Sequence, residues 1–255
     1  MPDPPSAASN PHRHVIVLAA GLGTRLKSKR AKVLHRLCGK PLILHVLDKL
    51  KPLGAATTLV VIGHEAEAVK RLLEGEQVEF VLQEERLGTG HALLCAASQC
   101  EGLSGSLLVV YGDIPLIGSD TLAGMFDALE REDADEVVLT AEYEQPFGYG
   151  RIIRDSGGAA IDIVEEKDAT PEQRAVSEIN TGIVCFNIPA LLRGLPHLSP
   201  QNQAGEYYLT DMLRIVRRSG GKVVTTLSGN PDETWGVNTR EELAAVEGKI
   251  GRAHV

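Results

Sequence analysis

The sequence predicts an α/β protein with a Rossmann-like, mostly parallel sheet flanked by helices and a smaller β-rich subdomain in its second half. Two observations lead to this prediction. Over about the first 140 residues, short apolar runs alternate with amphipathic stretches, as in a parallel sheet that helices cover on both faces. From about residue 141 to residue 235 the apolar runs become shorter and glycine-rich segments connect them, which predicts the subdomain.

The elements follow in chain order. Residues 15–20 form an apolar run closed by glycine, which predicts a buried parallel strand. Pro41 opens a stretch with helical spacing at 41–53, where proline suits the first helical position. Further strands are predicted at 57–62, 78–83, 106–113, 148–155, 157–166, 179–187 and 222–227, and further helices at 65–74, 91–99, 207–221 and 240–250.

The composition limits the class of function. The 255 residues are 43% hydrophobic and carry a formal net charge of −8, so the chain can bury a sizeable core but is not expected to present a basic face to nucleic acid. No apolar run approaches the ~18 residues of a membrane span, and the N-terminus lacks the apolar stretch of a signal peptide. We therefore expect neither a nucleic-acid partner nor a membrane partner.

Residues 1–13 are rich in Pro, Ser, Ala and Asn, so we expect a disordered tail ahead of an ordered domain at 14–250. The cysteines are scattered, without a C-x-x-C pair or a metal-ligand spacing with histidine. This pattern predicts free thiols in a reducing compartment and hence a cytoplasmic protein. The four residues are Cys38, Cys95, Cys100 and Cys185.

A glycine-containing loop follows the first predicted strand. Gly21 and Gly23 allow backbone N–H groups to approach an anion closely, and Arg25 and Lys32 add positive charge beside them. The loop is not a Walker A motif, and Leu26 excludes the G-x-G-x-x-G dinucleotide motif. The glycines alone are equally typical of a plain strand-to-helix turn, whereas the added cations favour phosphate binding.

Two polar residues lie where predicted strands end. Gln83 closes the strand at 78–83, where its amide can exchange hydrogen bonds with a base edge. Asp113 ends the strand at 106–113, and a carboxylate at the carboxyl end of such a strand can hold Mg²⁺ against phosphate oxygens. Taken alone, a satisfied strand-end amide and a turn aspartate before Ile-Pro are alternative interpretations.

Eight strings occur in one order along the chain, and together they resemble sugar-1-phosphate nucleotidyltransferases. They are GLGTR with the later KVLH, LQEERLGTGHA, YGDIPLI, GYGRI, IVEEKDAT, EINTGI, GEYYLTD and GVNTR. The similarity is greatest to the uridylyltransferase domain of the bacterial bifunctional enzymes that make UDP-N-acetylglucosamine, and it covers about residues 14–250. It implies the nucleotide-diphospho-sugar transferase fold. The implied reaction joins UTP to N-acetylglucosamine-1-phosphate and releases pyrophosphate, with Mg²⁺ as cofactor.

The resemblance also implies a role for each site residue. Arg25 and Lys32 bind the phosphates and offset the repulsion between the two negatively charged substrates. Asp113 and Asn238 hold Mg²⁺. Uracil is read by Gln83, by Gly88 and by the backbone near Ala19, with Thr89 on the same loop as Gly88. The sugar is held by the backbone of Gly150, by Glu165 on ring hydroxyls and by Asn180 on the N-acetyl group or a hydroxyl, with Tyr111 near the acetyl group. For Asn238 a turn asparagine, and for Glu165 a solvated acidic strand end, are the alternative interpretations.

The chain departs from the family at two places. The family usually has proline before the lysine, where this chain has Ala31. Because proline fixes φ, we expect alanine to leave Lys32 a mobile point charge, and Ala31→Pro to raise kcat or lower KM modestly. The sequence also reaches residue 255 without the hexapeptide repeats of the bifunctional enzymes, so their acetyltransferase activity and trimer are not carried over.

Two alternatives for the function stay open. One is a related nucleotidyltransferase for another sugar phosphate or base, although LGTGHA and EINTGI favour the uridylyl and N-acetylglucosamine pair. The other is an inactive nucleotide-sugar-binding regulatory module, whose mark would be lost charge in the loop or at the metal positions. Arg25, Lys32, Asp113 and Asn238 are all present, which favours an enzyme.

Overall fold

The structure is a computed structural model and describes residues 10–253. Its strands are β1 (Asn10–Leu18), β2 (Arg36–Leu37), β3 (Lys40–Pro41), β4 (Ala55–Ile62), β5 (Glu79–Leu82), β6 (Ser106–Tyr111), β7 (Glu136–Glu142), β8 (Gly150–Arg154), β9 (Ala160–Val164), β10 (Glu178–Asn187) and β11 (Val223–Leu227). Its α-helices are α1 (Leu42–Leu50), α2 (Ala66–Leu72), α3 (Thr89–Cys100), α4 (Ser119–Arg131), α5 (Pro171–Arg174), α6 (Ile188–Gly194), α7 (Asp211–Arg218) and α8 (Arg240–Ala253).

Within these residues, one nine-stranded sheet forms the centre of the molecule. Its main path runs in the order β11-β7-β10-β6-β1-β4-β5. Neighbours pair in parallel except around β10, which runs antiparallel to both β6 and β7. The predicted α/β class with a mostly parallel, helix-flanked sheet is confirmed.

The strands β8 and β9 form an antiparallel ribbon beside the main path, and β8 also pairs with the first part of β10. In this pairing Gly150 lies opposite Asn180. Because β10 is antiparallel to β6, its first residues lie at the edge of the sheet where β6 ends. The ribbon therefore flanks that edge, inside the segment for which the sequence predicts a subdomain.

The sheet separates two apolar clusters. Successive residues of β1 point to opposite faces, so that Val15 and Val17 join one cluster and Ile16 and Leu18 the other. Residues of α1, α2 and α4 complete the first cluster, and residues of α3, α6 and α7 the second. Each such side chain contributes about 1.5–3 kcal/mol when fully buried, so burial on both faces holds the strand ends in place.

The structure corrects several element boundaries. Strand β1 begins at Asn10, so residues 10–13, which were expected in the tail, belong to the first strand. Residues 1–9 of that expected tail lie outside the described residues. Pro41 precedes α1 instead of lying in its first turn.

Six elements are absent from the sequence prediction, namely β2, β3, α4, β7, α5 and α6. Helix α6 follows β10 directly, because the side-chain oxygen of Asn187 accepts a hydrogen bond from the backbone N–H of Ala190 (3.3 Å) and caps the helix. Because the apolar residues of β10 and α6 follow one another with only Asn187 between them, the sequence pattern does not mark where the strand ends and the helix begins. No helix in the part of the chain that the structure describes is long and apolar enough to cross a membrane, and the four cysteines are free thiols, as predicted.

Candidate functional site

A cleft of about 440 Å³ opens at the carboxyl ends of β1, β5 and β6. The sheet hydrogen bonding continues past the strands, since the N–H of Ala19 donates to Val61 O and that of Gln83 to Ile62 O (both 2.8 Å). The backbone of the sheet thus positions the side chains that follow. Of the residues expected at the site, the cleft is lined by Ala19, Gly21, Gly23, Lys32, Gln83, Gly88, Thr89, Tyr111 and Asp113.

Within the loop of residues 19–32, named the phosphate loop for its expected role, Gly23 lies against the side chain of Lys32. Gly23 has φ +67°, and a Cβ built there would lie 2.9 Å from Cβ of Lys32, so a side chain at position 23 would displace the lysine. The N–H of Leu26 donates to Gly23 O (2.9 Å), and the buried Leu26 side chain anchors this part of the loop. Gly21 is exposed, with open space where its Cβ would stand.

The Lys32 ammonium contacts both Asp113 and Asn238. Its Nζ forms an ion pair with Oδ2 of Asp113 and donates to Oδ1 of Asn238 (2.6 Å). Nη2 of Arg25 donates to the same oxygen of Asn238 (2.9 Å). The side chains of Lys32 and Asp113 are only 15% and 10% exposed. Two oxygens hold the ammonium in this conformation, and the movement of Lys32 onto a bound phosphate stays a prediction.

The start of α8 positions Asn238. The N–H of Glu242 donates to Oγ1 of Thr239 (3.1 Å), and the Glu242 carboxylate accepts from the N–H of Thr239 (2.8 Å), which is a capping box. The same carboxylate accepts from the N–H of Asn238 (2.5 Å). The N–H of Val237 donates to Asp113 O (2.9 Å). The segment before α8 is thereby tied to the carboxyl end of β6.

The oxygens of Asp113 and Asn238 fit a Mg²⁺ site. Both are hard oxygen ligands of the kind that Mg²⁺ prefers, and both already face one cation, the Lys32 ammonium. Among the described residues, no group of three or more His, Cys, Asp or Glu side chains could hold a metal ion. A two-residue site would leave most of the coordination shell to phosphates and water, which is usual for Mg²⁺.

On the opposite wall of the cleft, the amide of Gln83 has a defined orientation. Its Nε2 donates to the carbonyl oxygen of Gly88 (3.0 Å) and lies 3.1 Å from Nδ1 of His91. Because a carbonyl can only accept, the amide nitrogen must face Gly88, and Nδ1 of His91 must then accept as well. Gln83 is buried, with 4% of its surface exposed. Its Oε1 is left as the acceptor for a ligand.

The loop that carries Gly88 is fastened to the segment before α7. The N–H of Gly90 donates to Tyr207 O and the N–H of Tyr207 to Leu87 O (both 2.7 Å), while Oγ1 of Thr89 accepts from the N–H of Leu209 (3.1 Å). Tyr207 and His91 have no role predicted from the sequence. Their positions within the strings GEYYLTD and LQEERLGTGHA, which carry the family resemblance, were the only signal for them.

The residues expected at the sugar lie close together. A Cβ on Gly150 would stand 3.5 Å from both carboxylate oxygens of Glu165. Oδ1 of Asn180 accepts from the N–H of Gly182 (3.1 Å), so its Nδ2 remains a donor. A Cβ on Gly182 would stand 2.3 Å from the ring of Tyr111. The structure therefore brings Gly150, Glu165, Asn180 and Tyr111 to one region.

Burial changes the proton affinities of two of these groups. It raises the pKa of the Glu165 carboxyl, although the hydrogen bond from Oγ1 of Thr210 (3.0 Å) acts in the opposite direction. Burial also raises the pKa of the Tyr111 phenol, and the nearby Glu165 carboxylate adds to this shift. Tyr111 is therefore a neutral hydroxyl at physiological pH. Thr210, which orients the Glu165 carboxylate, likewise has no role predicted from the sequence.

The structure also corrects the expectation for Ala31. The residue is buried, with φ −55° and ψ 139°, and its N–H donates to Oε2 of Glu65 (2.5 Å). Alanine therefore does not leave the approach to Lys32 loose. Proline would match this φ but would remove the donor, so the expected gain from Ala31→Pro loses its basis.

Comparisons with known proteins show the family and the fold. The model of a family described as the MobA-like NTP transferase domain matches residues 15–246. The bifunctional protein GlmU of Halalkalibacterium halodurans is 46% identical over 236 residues, which are 92% of this chain and 52% of the relative. GlmU of Lactobacillus delbrueckii subsp. bulgaricus is 48% identical over 232 residues, 91% of this chain and 50% of the relative. The chain spans about half the length of the curated relatives it matches.

A solved structure shares the fold. It is a Bacillus anthracis protein described as a glucose-1-phosphate thymidylyltransferase in complex with sucrose, with a TM-score of 0.75 and 21% sequence identity. The match covers 93% of this chain and 94% of the other. The shared architecture is the α/β sheet that forms the cleft.

Proposed function

The chain belongs to the family of MobA-like NTP transferase domains, and from this premise we propose that it transfers the uridylyl group of UTP to N-acetylglucosamine-1-phosphate and releases pyrophosphate. The observation that carries the proposal is the convergence of Arg25, Lys32, Asp113 and Asn238 at one edge of the sheet, beside a cleft with Gln83 in its wall. The identity to GlmU proteins over nearly the whole chain supports the substrates that the sequence resemblance implies.

In the proposed reaction, a phosphate oxygen of the sugar phosphate attacks the α-phosphorus of UTP, and the bond from that phosphorus to the pyrophosphate oxygen breaks. The nucleophile is already an anion, so no general base is required. Arg25 and Lys32 offset the repulsion between the two polyanions and stabilise the negative charge on the leaving pyrophosphate. The exposed backbone at Gly21 allows close approach of a phosphate group.

Asp113 and Asn238 are the residues that would hold Mg²⁺. When bound, this ion supplies charge stabilisation to the phosphate oxygens. In the structure the Lys32 ammonium pairs with one oxygen of each of these two residues. Its release from them would place the ammonium beside the phosphates, where its charge matters most in the transition state.

The remaining residues would set the specificity. Oε1 of Gln83 would accept the N3–H of uracil, since Gly88 and His91 occupy the amide nitrogen. Nδ2 of Asn180 would donate to the acetyl carbonyl of the sugar, and the carboxylate of Glu165 would accept from ring hydroxyls. We propose small molecules as the partners of this domain and, as from the sequence, a cytoplasmic location.

The test is a pyrophosphate-release screen of UTP, CTP, GTP and dTTP against N-acetylglucosamine-1-phosphate and glucose-1-phosphate with Mg²⁺. We expect the highest kcat/KM for UTP with N-acetylglucosamine-1-phosphate. Loss of the acetamido group leaves buried polar groups unpaired and can cost on the order of 10⁴-fold. Equal rates on both sugars, or preference for another base, would indicate a related nucleotidyltransferase. Absence of release with every pair would favour a regulatory module.

A further inference from the structure

The turn between β4 and α2, residues 63–65, holds both ends of the phosphate loop. At the start of the loop, the N–H of His64 donates to Ala20 O (3.4 Å). Toward its end, Nε2 of His64 donates to Lys29 O (2.7 Å), and Oε2 of Glu65 accepts from the N–H of Ala31 (2.5 Å). The last contact lies one residue before Lys32.

Glu65 makes this contact from a strained backbone. Its φ of +52° places it in the left-handed region, which favours glycine and strains other residues. The side chain does not cap α2 and reaches the phosphate loop instead. Residues in such conformations persist where the surrounding structure imposes them, and they are frequent at functional sites.

We propose that Glu65 is a positioning residue for Lys32, because its carboxylate holds the buried N–H of Ala31 and thereby fixes the backbone immediately before the lysine. The effect on catalysis rests on the proposed function, in which Lys32 acts on the phosphates. In the family that the sequence resembles, proline usually stands at this position and fixes φ covalently. The φ of Ala31, −55°, lies within the range of proline, so the hydrogen bond to Glu65 imposes the same constraint by other means.

A proline at position 31 and the hydrogen bond from Ala31 to Glu65 exclude each other sterically. A proline ring carries Cδ on the backbone nitrogen, in the direction in which the N–H of Ala31 now points to Glu65 at 2.5 Å. In the presence of Glu65, Ala31→Pro would therefore crowd the carboxylate and leave it without its donor. Without the carboxylate, the ring would fit and would restore the restriction on φ.

This mutual exclusion gives a sharp test with the variants Glu65→Gly, Ala31→Pro and the double variant. Glu65→Gly removes the acceptor and also relieves the left-handed strain, so its Tm should stay equal or rise. We expect its kcat to fall about 10-fold, the factor that one charge-assisted hydrogen bond commonly supplies, and hydrogen exchange over residues 24–34 to accelerate. Ala31→Pro alone should also lower kcat. The double variant should regain both kcat and slow exchange.

Glu67→Ala is the matched control. Glu67 lies two residues further on, in α2, is 72% exposed and pairs with Lys70, so its loss should change neither kcat nor exchange in the phosphate loop. The proposal is overturned if Glu65→Gly leaves kcat and exchange unchanged, or if the double variant is no better than Glu65→Gly. If the wild-type protein shows no pyrophosphate release with any substrate pair, the proposed function fails. The exchange rates of the same variants then still decide whether Glu65 orders the loop.

Discussion

At the scale of single residues, one shared acceptor joins the two cationic side chains of the site. Oδ1 of Asn238 accepts from Lys32 (2.6 Å) and from Arg25 (2.9 Å). An amide oxygen carries no formal charge, so it cannot neutralise two cations. The carboxylate of Asp113, paired with Lys32, compensates one of the two positive charges.

The role of Asp113 can be tested by removing first its charge and then its oxygens. Asp113→Asn should lower kcat severely, because an amide holds Mg²⁺ more weakly than a carboxylate. Asp113→Ala should lower kcat further, on the order of 10²–10⁴-fold, with the fold intact. Steady-state pyrophosphate release at saturating Mg²⁺, with circular dichroism for the fold, measures both effects. The control is Asp120→Ala, an exposed residue on α4. A near wild-type kcat in Asp113→Ala would mean that Asp113 is only a structural turn residue.

Gln83 should decide between uracil and cytosine. Its amide nitrogen is occupied by Gly88 and His91, and the remaining oxygen can pair with the N3–H of uracil but not with N3 of cytosine, which is itself an acceptor. Gln83→Leu should lower the ratio of kcat/KM for UTP to that for CTP by about 10-fold. Competition kinetics with the two nucleotides measures this ratio.

Substitutions of His91 supply the control for this prediction. Asparagine keeps an acceptor near the position of Nδ1, so His91→Asn should preserve more of the base selectivity than His91→Phe, which leaves an amide N–H of Gln83 unpaired. A UTP-to-CTP ratio in Gln83→Leu that equals the wild-type ratio would show that another group reads the base.

At the scale of elements, the start of α3 and the segment before α7 depend on one another. Gly88 has φ +107°, and a Cβ there would stand 2.4 Å from Tyr207 O. A Cβ on Gly90 would stand 3.0 Å from the same oxygen. The two segments can approach this closely only because both positions lack side chains, and their contact fixes the carbonyl that orients Gln83.

Gly88→Ala should therefore raise KM for UTP and lower Tm, because the added methyl group pushes the two segments apart. Gly102→Ala is the matched control, since Gly102 has φ +84° with open space around its Cβ position. That variant carries the cost of the left-handed backbone, about 1 kcal/mol, without the clash. Thermal unfolding and UTP kinetics on both variants separate the two effects. Equal KM values in both would show that the contact with Tyr207 does not shape the nucleotide site.

At the scale of the whole molecule, Glu136 makes stability depend on pH. This first residue of β7 is 1% exposed, and its Oε2 has no hydrogen-bond partner among the described residues. Burial raises the pKa of its carboxyl well above that of an ordinary glutamate. The folded protein therefore holds this proton at a pH where the unfolded chain has released it.

The sign of the effect follows from linkage. A raised pKa in the folded state gives a contribution to stability that is fully present below the unfolded pKa of about 4.3 and is lost as pH rises through the folded value. The loss is at most about 1.4 kcal/mol per pH unit for one proton. Glutamine does not titrate, so Glu136→Gln should remove this pH-dependent contribution. The free energy of unfolding of the variant should therefore fall less between pH 5 and pH 8 than that of the wild type. Urea unfolding across this range measures the difference, and parallel curves for the two proteins would contradict the assignment to Glu136.

Much of the fold and of the candidate site could be predicted because the signals are local. The alternation of apolar runs indicates which face of each segment is buried, and polar residues at the ends of those runs, such as Gln83 and Asp113, fall at the carboxyl edge of a parallel sheet by geometry. Roles for Gly150, Glu165, Asn180 and Asn238 came from the family resemblance alone, because each is an ordinary turn or strand residue in its own segment.

The sequence by itself determined the α/β class, the order of most elements and the loop of glycines and cations, since these depend on the spacing of residues along the chain. Only the tertiary structure decided which partners those residues meet. Lys32 and Asn238 are 206 residues apart yet share a hydrogen bond, and Ala31 is held by Glu65 from another element. Such contacts depend on sheet register and helix packing. For the same reason the buried Oε2 of Glu136, which has no hydrogen-bond partner among the described residues, becomes visible only once the strands are assembled.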